Sequence, residues 1–202
     1  MKIKTTKFYF LILLFSCFFY SYSQSEWELE KEALGIQVFT RTVSVSSIKE
    51  YKATTLIKTS LKSIVSKIID GEHLKDWNYK TTKSNLLEKI SDNEYLIYMY
   101  NDLPWPAKNR DHISTLKIDE ISSSLTKISI ISTPKKMLEK SGVIRVVNFS
   151  GFWLLEKTKL GIKVTQQMYG DPGGSLPVFI VNSMLVKAPF NTFKRLKEQL
   201  AN

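Results

Sequence analysis

The sequence predicts an α+β domain in which an antiparallel sheet is closed by one long C-terminal helix, and three observations carry that expectation. Leu61, Ile64, Val65, Ile68 and Ile69 recur at helical spacing early in the chain. From Thr81 to Tyr169 the texture is a succession of β-branched and aromatic segments parted by short polar turns. From Leu176 to Leu200 it turns helical again.

Taken in order, residues 1–23 read as a leader. Lys2, Lys4 and Lys7 precede the apolar run Phe8–Tyr20, and Ser21 and Ser23 flank Tyr22 in a cleavage-site pattern. A secretory signal peptide cut after Ser23 is expected, and with it a periplasmic location. The apolar run is short of the ~20 residues that span a bilayer. Lipid attachment at Cys17 ranks behind cleavage, because Phe15 is bulky where a short residue belongs and Phe18 and Phe19 follow. Residues 24–202 form one domain, since no repeat, linker or low-complexity run divides them.

Ser25–Ala33 is expected to be a short helix, with Glu26 and Glu28 in its first turn and Gly35 past its end. Ile36–Val43 and Lys49–Lys58 read as strands. The helix that begins at Leu61 has Ser60 as its cap and Gly71 as its stop, and a second helical piece carries Leu74 and Trp77. The meander comprises Ser84–Ile90, Glu94–Asn101, His112–Ile118, Leu125–Ser132, Val143–Glu156 and Ile162–Tyr169, paired sequentially and antiparallel across turns such as "SDN" and "SSS". Pro189, without an N–H, is expected to kink or break the last helix, whose apolar stripe resumes at Phe190, Phe193, Leu196 and Leu200.

Composition excludes several functions. The single cysteine, Cys17, lies in the leader, which removes disulfides, thiol nucleophiles and cysteine metal sites from the domain. The formal charge is +10, and loss of the three leader lysines leaves +7. The basic residues are scattered, apart from Lys187, Lys194, Arg195 and Lys197 on the last helix, and no nucleic-acid motif accompanies them. That cluster reads as a solvated face, or as a weak attraction to anionic headgroups of roughly 1 kcal/mol per basic residue. The two histidines, His73 and His112, are far apart and lack His-x-x-x-His or Glu-x-x-His spacing, so no metal or other cofactor is expected. His73 reads as a surface residue and His112 as a strand residue whose ring nitrogens are satisfied by neighbours. No Gly-x-Ser-x-Gly elbow is present. "DPGG" at Asp171–Gly174 lacks phosphate-loop spacing and reads as a turn.

The stretch Leu103–Ile113, "LPWPAKNRDHI", does more than a hairpin turn requires. Pro104 and Pro106 end strand pairing and hold Trp105 on a stiff loop at the rim of the sheet. Arg110 and Asp111 then open the next strand, placed to pair with neighbours or to cap loop backbone. Both faces of the preceding strand are apolar, with Tyr95, Ile97 and Met99 on one and Leu96, Tyr98 and Tyr100 on the other, so the outer face needs a cover or a ligand. Which of the pairs Gln166/Met168 and Gln167/Tyr169 points inward stays open.

This stretch, with "NFSGFWLLE" at Asn148–Glu156 and "VTQQMYGDPGGSLPVFIVN" at Val164–Asn182, resembles the START family of lipid-transfer domains in both order and spacing. The resemblance covers essentially all of residues 24–202. It implies a helix-grip fold, a curved sheet gripping the C-terminal helix around an internal hydrophobic cavity. It also implies a lipid or similar hydrophobic ligand as the partner. Trp105, Arg110 and Asp111 would form the gate, and Tyr98, Met99, Trp153, Phe179 and Met184 the lining. Sterol-handling members carry charges where "ISTL" (Ile113–Leu116) and "LIYMY" (Leu96–Tyr100) have none, so a sterol is not supported. The expected protein is a non-enzymatic monomer with transient membrane contact. Two alternatives stand beside it: a cyclase-like enzyme using His112 with Asp111 or Tyr98, and an interaction module with a filled core.

Overall fold

The computed structural model of the chain describes residues 25–44 and 46–200; the expected signal peptide lies outside them. The chain runs β1 (Glu28–Ala33), β2 (Ile36–Val43), β3 (Ser46–Ile57), α1 (Leu61–Ile69), α2 (Leu74–Trp77), β4 (Thr81–Ser91), β5 (Glu94–Asn101), β6 (Arg110–Ser122) and β7 (Leu125–Ser132). It then continues through β8 (Ile144–Arg145), β9 (Asn148–Thr158), β10 (Gly161–Asp171) and α3 (Val178–Leu200). Among the described residues these strands form one sheet in the order β1-β2-β3-β10-β9-β7-β6-β5-β4, with β8 pairing parallel to the start of β6. The other neighbours are antiparallel.

Sheet order departs from chain order where β3 pairs with β10. The chain must cross from mid-sheet to the far edge before β4 begins, and α1 and α2 make that passage. They bury Ile64, Ile68, Leu74 and Trp77 against the sheet. Ser60 caps α1 by accepting from Ser63 N–H at 3.0 Å, as its position indicates; the other cap is Asp70 rather than Gly71. α3 lies against β2, β3 and α2, clasped by Phe193 stacked on Trp153 at 5.5 Å and by Thr192, whose hydroxyl donates to Asn78 Oδ1 at 3.1 Å. Among the described residues no helix is long and apolar enough to cross a membrane.

Three expectations are corrected. Ser25–Ala33 contains no helix: Glu28 to Ala33 is β1, an edge strand on β2. Glu28 and Glu30 fall on one side at period two, where they meet Lys49, and a two-residue turn at Leu34–Gly35, both at positive φ, closes the hairpin. Val143–Glu156 is two strands, because β8 leaves the antiparallel ladder to run beside β6. Pro189 does not break the last helix: α3 continues through it, with Pro189 and Phe190 buried.

The outer face of β5 and β6 is covered by the chain itself. Leu96, Tyr98 and Ile113 form a second apolar cluster there, and Met137, from the segment between β7 and β8, packs on it. Lys140 donates to the Tyr98 hydroxyl at 2.9 Å.

Candidate ligand cavity and its mouth

Between α3, α2 and the inner faces of β5, β6, β9 and β10 lies a cavity of about 320 Å³. The two-residue period of the strands decides what enters it. On β5 Met99 lines it; on β6 His112, Ser114 and Leu116 do; on β9 Phe149 and Trp153; on β10 Gln166 and Met168. Met184, Ala188, Pro189 and Thr192 supply the helical wall, and Leu103 and Pro172 reach it from two loops.

Four of the eight expected site residues are therefore on the cavity: Met99, Arg110, Trp153 and Met184. The other four are placed elsewhere. Tyr98 faces outward into the covered cluster, because it alternates with Met99 along β5. Asp111 likewise alternates with His112 and turns away. Trp105 is 93% exposed and Phe179 is 72% exposed, so neither ring closes over the cavity; Leu103 is the residue of the Pro-Trp-Pro loop that touches it. Gln166 and Met168 are the inward pair on β10, while Gln167 and Tyr169 face the other side.

Arg110 and Asp111 hold loops, each in its own way. All three Arg110 guanidinium nitrogens donate to backbone carbonyls, of Lys108, Pro172 and Gly173. This ties the Pro-Trp-Pro loop to the Asp-Pro-Gly-Gly turn. Asp111 accepts from Arg145 in a two-pronged pair, Nε to Oδ1 at 2.7 Å and Nη2 to Oδ2 at 3.0 Å, with both side chains 1% exposed. Arg145 also donates to the carbonyls of Pro134, Met137 and Leu138, which fastens the covering segment. The Asp111 hydrogen bond raises the Arg145 pKa, with burial opposing it.

Inside the cavity His112 stands edge-on to Phe149, with ring centroids 5.1 Å apart. Its nitrogens have no hydrogen-bond partner among the described residues, contrary to the expectation that neighbours satisfy them. The cavity reaches the ring, yet burial still pushes its pKa down to about 4; Asp111 opposes that shift and Arg145 adds to it. The Tyr51 hydroxyl donates to Gln166 Oε1 at 2.9 Å, and burial raises the phenol well above its ordinary value. Sequence reasoning placed His112 inward only in the enzyme alternative, left Gln166 open against Gln167 and missed Tyr51, because each orientation depends on strand register. Among the described residues no cluster of histidine and acids could hold a metal ion.

A curved antiparallel sheet, a helix gripped across it and a mainly apolar cavity between them define a helix-grip domain of the internal-ligand class. The START domain family model matches residues 21–202, so the chain belongs to that family. It is 30% identical to the STAR-related lipid transfer protein of Xanthomonas axonopodis, whose solved structure superposes with a TM-score of 0.82 over 87% of this chain and 99% of that one. Phosphatidylcholine transfer protein of Mus musculus is 28% identical over 165 residues, 78% of this chain and 76% of that protein. Human StAR-related lipid transfer protein 5, at 14% identity, shares the fold with a TM-score of 0.74 over 97% of this chain and 94% of that one.

Proposed function

We propose that this protein binds one lipid molecule in the cavity and carries it between membranes as a monomer, without chemical change. The carrying observation is the cavity itself: an apolar space walled by Met99, Trp153 and Met184, inside a family whose named relatives are lipid-transfer proteins. Burying the acyl part of a lipid there is favourable by roughly 25 cal/mol per Å² removed from water.

The mouth lies where the Pro-Trp-Pro loop, the Asp-Pro-Gly-Gly turn and the first half of α3 meet, since Leu103, Pro172 and Met184 each contribute to the wall. Gating is by movement of that loop against α3. Trp105 and Phe179 project from this end, and Leu138, 89% exposed, projects from the segment that Arg145 fastens beside it, with Lys108, Lys135 and Lys136 among them. Exposed aromatic and aliphatic side chains interspersed with lysines suit transient contact with an anionic bilayer surface. The apolar run Phe8–Tyr20 behind three lysines supports export, and we place the protein in the periplasm.

The cyclase-like reading would join His112 to Asp111 or Tyr98. Both partners lie on the opposite face of the sheet and are engaged by Arg145 and Lys140. We therefore favour carriage over catalysis.

Native mass spectrometry of protein purified without detergent, followed by solvent extraction, tests the reading. The expected result is one added mass per chain that extracts as a lipid, together with transfer of a fluorescent lipid between vesicles. Protein that is apo and moves no lipid between vesicles would refute it.

A further inference from the structure

Resting on the lipid reading of the cavity, the chemistry of its wall narrows what the lipid is. Among the described residues two charged side chains line the cavity, Arg110 and Lys80, and no carboxylate does. Arg110 is buried, with every guanidinium nitrogen already donating to a carbonyl. Lys80 is exposed at the rim, 5.8 Å from the Tyr79 ring centroid. A phosphate or carboxylate drawn past these two cations to the depth of Gln166 would meet no further cation, and an ammonium would meet no anion. Burying a charge without such a partner is strongly unfavourable.

Uncharged polar groups are available instead. His112 presents an imidazole whose nitrogens have no hydrogen-bond partner among the described residues. Gln166 is buried with its Oε1 occupied by Tyr51, and its amide N–H₂ has no hydrogen-bond partner among the described residues. His112 is neutral at ordinary pH, so it offers one donor and one acceptor. Such groups match an ester carbonyl or a hydroxyl. The cavity, at about 320 Å³, lies near the lower end of the ~300–1,000 Å³ range of ligand sites, which suits one acyl chain better than two.

We propose that His112, with Gln166, is the polar anchor of the cavity and selects a single-chain lipid whose innermost polar function is an uncharged ester or hydroxyl. A ligand that fills the cavity shuts these groups off from water, so one that hydrogen-bonds them is favoured over one that leaves them unpaired, and specificity arises from their pairing and not from area alone.

Competition by native mass spectrometry, with the purified protein and equal concentrations of 1-monooleoylglycerol, oleate and oleoyl-lysophosphatidylcholine at pH 8, tests this. Monooleoylglycerol is expected to occupy the protein at least tenfold over either charged lipid. His112→Phe should weaken monooleoylglycerol by about threefold to tenfold, the equivalent of one neutral hydrogen bond. His112→Gln, which keeps a donor and an acceptor, should restore most of the preference, and Gln166→Leu gives a second removal if His112→Phe does not fold. Equal occupancy by all three lipids overturns the anchor while leaving lipid binding intact. So does undiminished preference in both removal variants. Binding of none of the three counts against lipid carriage itself and takes the anchor with it.

Discussion

Asp111→Asn should be among the most damaging single substitutions outside the aromatic core. Asp111 and Arg145 are each 1% exposed and meet through two hydrogen bonds at 2.7 and 3.0 Å, so neither is solvated by water. The substitution leaves the guanidinium with three carbonyls and no carboxylate hydrogen-bonded to it, only the exposed Glu139 acting from farther off. Breaking a buried pair from one side costs about 3–5 kcal/mol. At about 2–4 °C per kcal/mol for a domain of this size, the melting temperature should fall by roughly 6–20 °C. Urea denaturation of wild type, Asp111→Asn, Arg145→Met and the Asp111→Leu/Arg145→Met pair gives the measurement. The apolar pair should recover most of the loss, since it removes the stranded charge as well as the bond. Because the pair is shielded from solvent, the loss should be about the same in 0.1 and 1 M salt. A loss below about 1 kcal/mol, the worth of an exposed pair, would refute the reasoning.

Three further outcomes are expected. Trp105→Ala should change stability by less than about 0.5 kcal/mol, as befits a ring 93% exposed, yet slow lipid transfer from anionic vesicles several-fold; unchanged transfer would remove Trp105 from the membrane contact. His112, with a folded pKa of about 4 below an unfolded value of about 6.5, binds fewer protons when folded, so its contribution is complete above pH 6.5 and lost as pH falls through 4. Urea melts of wild type minus His112→Phe should show this rise of up to about 3 kcal/mol across that window, and an NMR titration midpoint near 6.5 would contradict it. Gly151→Ala should destabilise by about 1–3 kcal/mol, because the added Cβ would lie 2.2 Å from the Gln167 carbonyl oxygen, which belongs to the paired strand and cannot swing aside; a melt within experimental error of wild type would show that β9 and β10 separate easily there.

Much of the fold was legible because local signals and tertiary structure agree. β5 and β7 begin and end where the turns "SDN" and "SSS" and the apolar runs indicate, and Ser60 caps α1 through its own side chain. β1 was hidden because the residue that turns its hairpin, Leu34, is not a type that advertises positive φ. β6 starts at Arg110 because Arg110 and Asp111 pair with the end of β5 on one side and with β8 on the other, and β8 lies more than thirty residues on. The cavity wall was only half legible. Alternation along β5 separates Tyr98 from Met99 but assigns neither to the inside, since the outer face is apolar too, buried beneath Met137. The same ambiguity held Gln166 and Gln167 apart without placing them. Asp111 was assigned to the gate from the family resemblance, and the partner that shows otherwise, Arg145, lies 34 residues away in sequence.

Pro189 lets the structure yield in one place while the rest holds. Its nitrogen carries no hydrogen, so the Leu185 carbonyl, one turn back, has no helical donor. Beyond it Phe190, Thr192, Phe193 and Leu196 are buried; before it Val181 is the sole fully buried residue of α3. The helix is two stretches of unequal local stability on one axis. With few buried residues the first is expected to fray and re-form more readily, while the second keeps its grip on Trp153, so the proposed movement of the Pro-Trp-Pro loop against α3 would ask only the first stretch to yield. Amide exchange should divide α3 at this residue, fast before it and slow after.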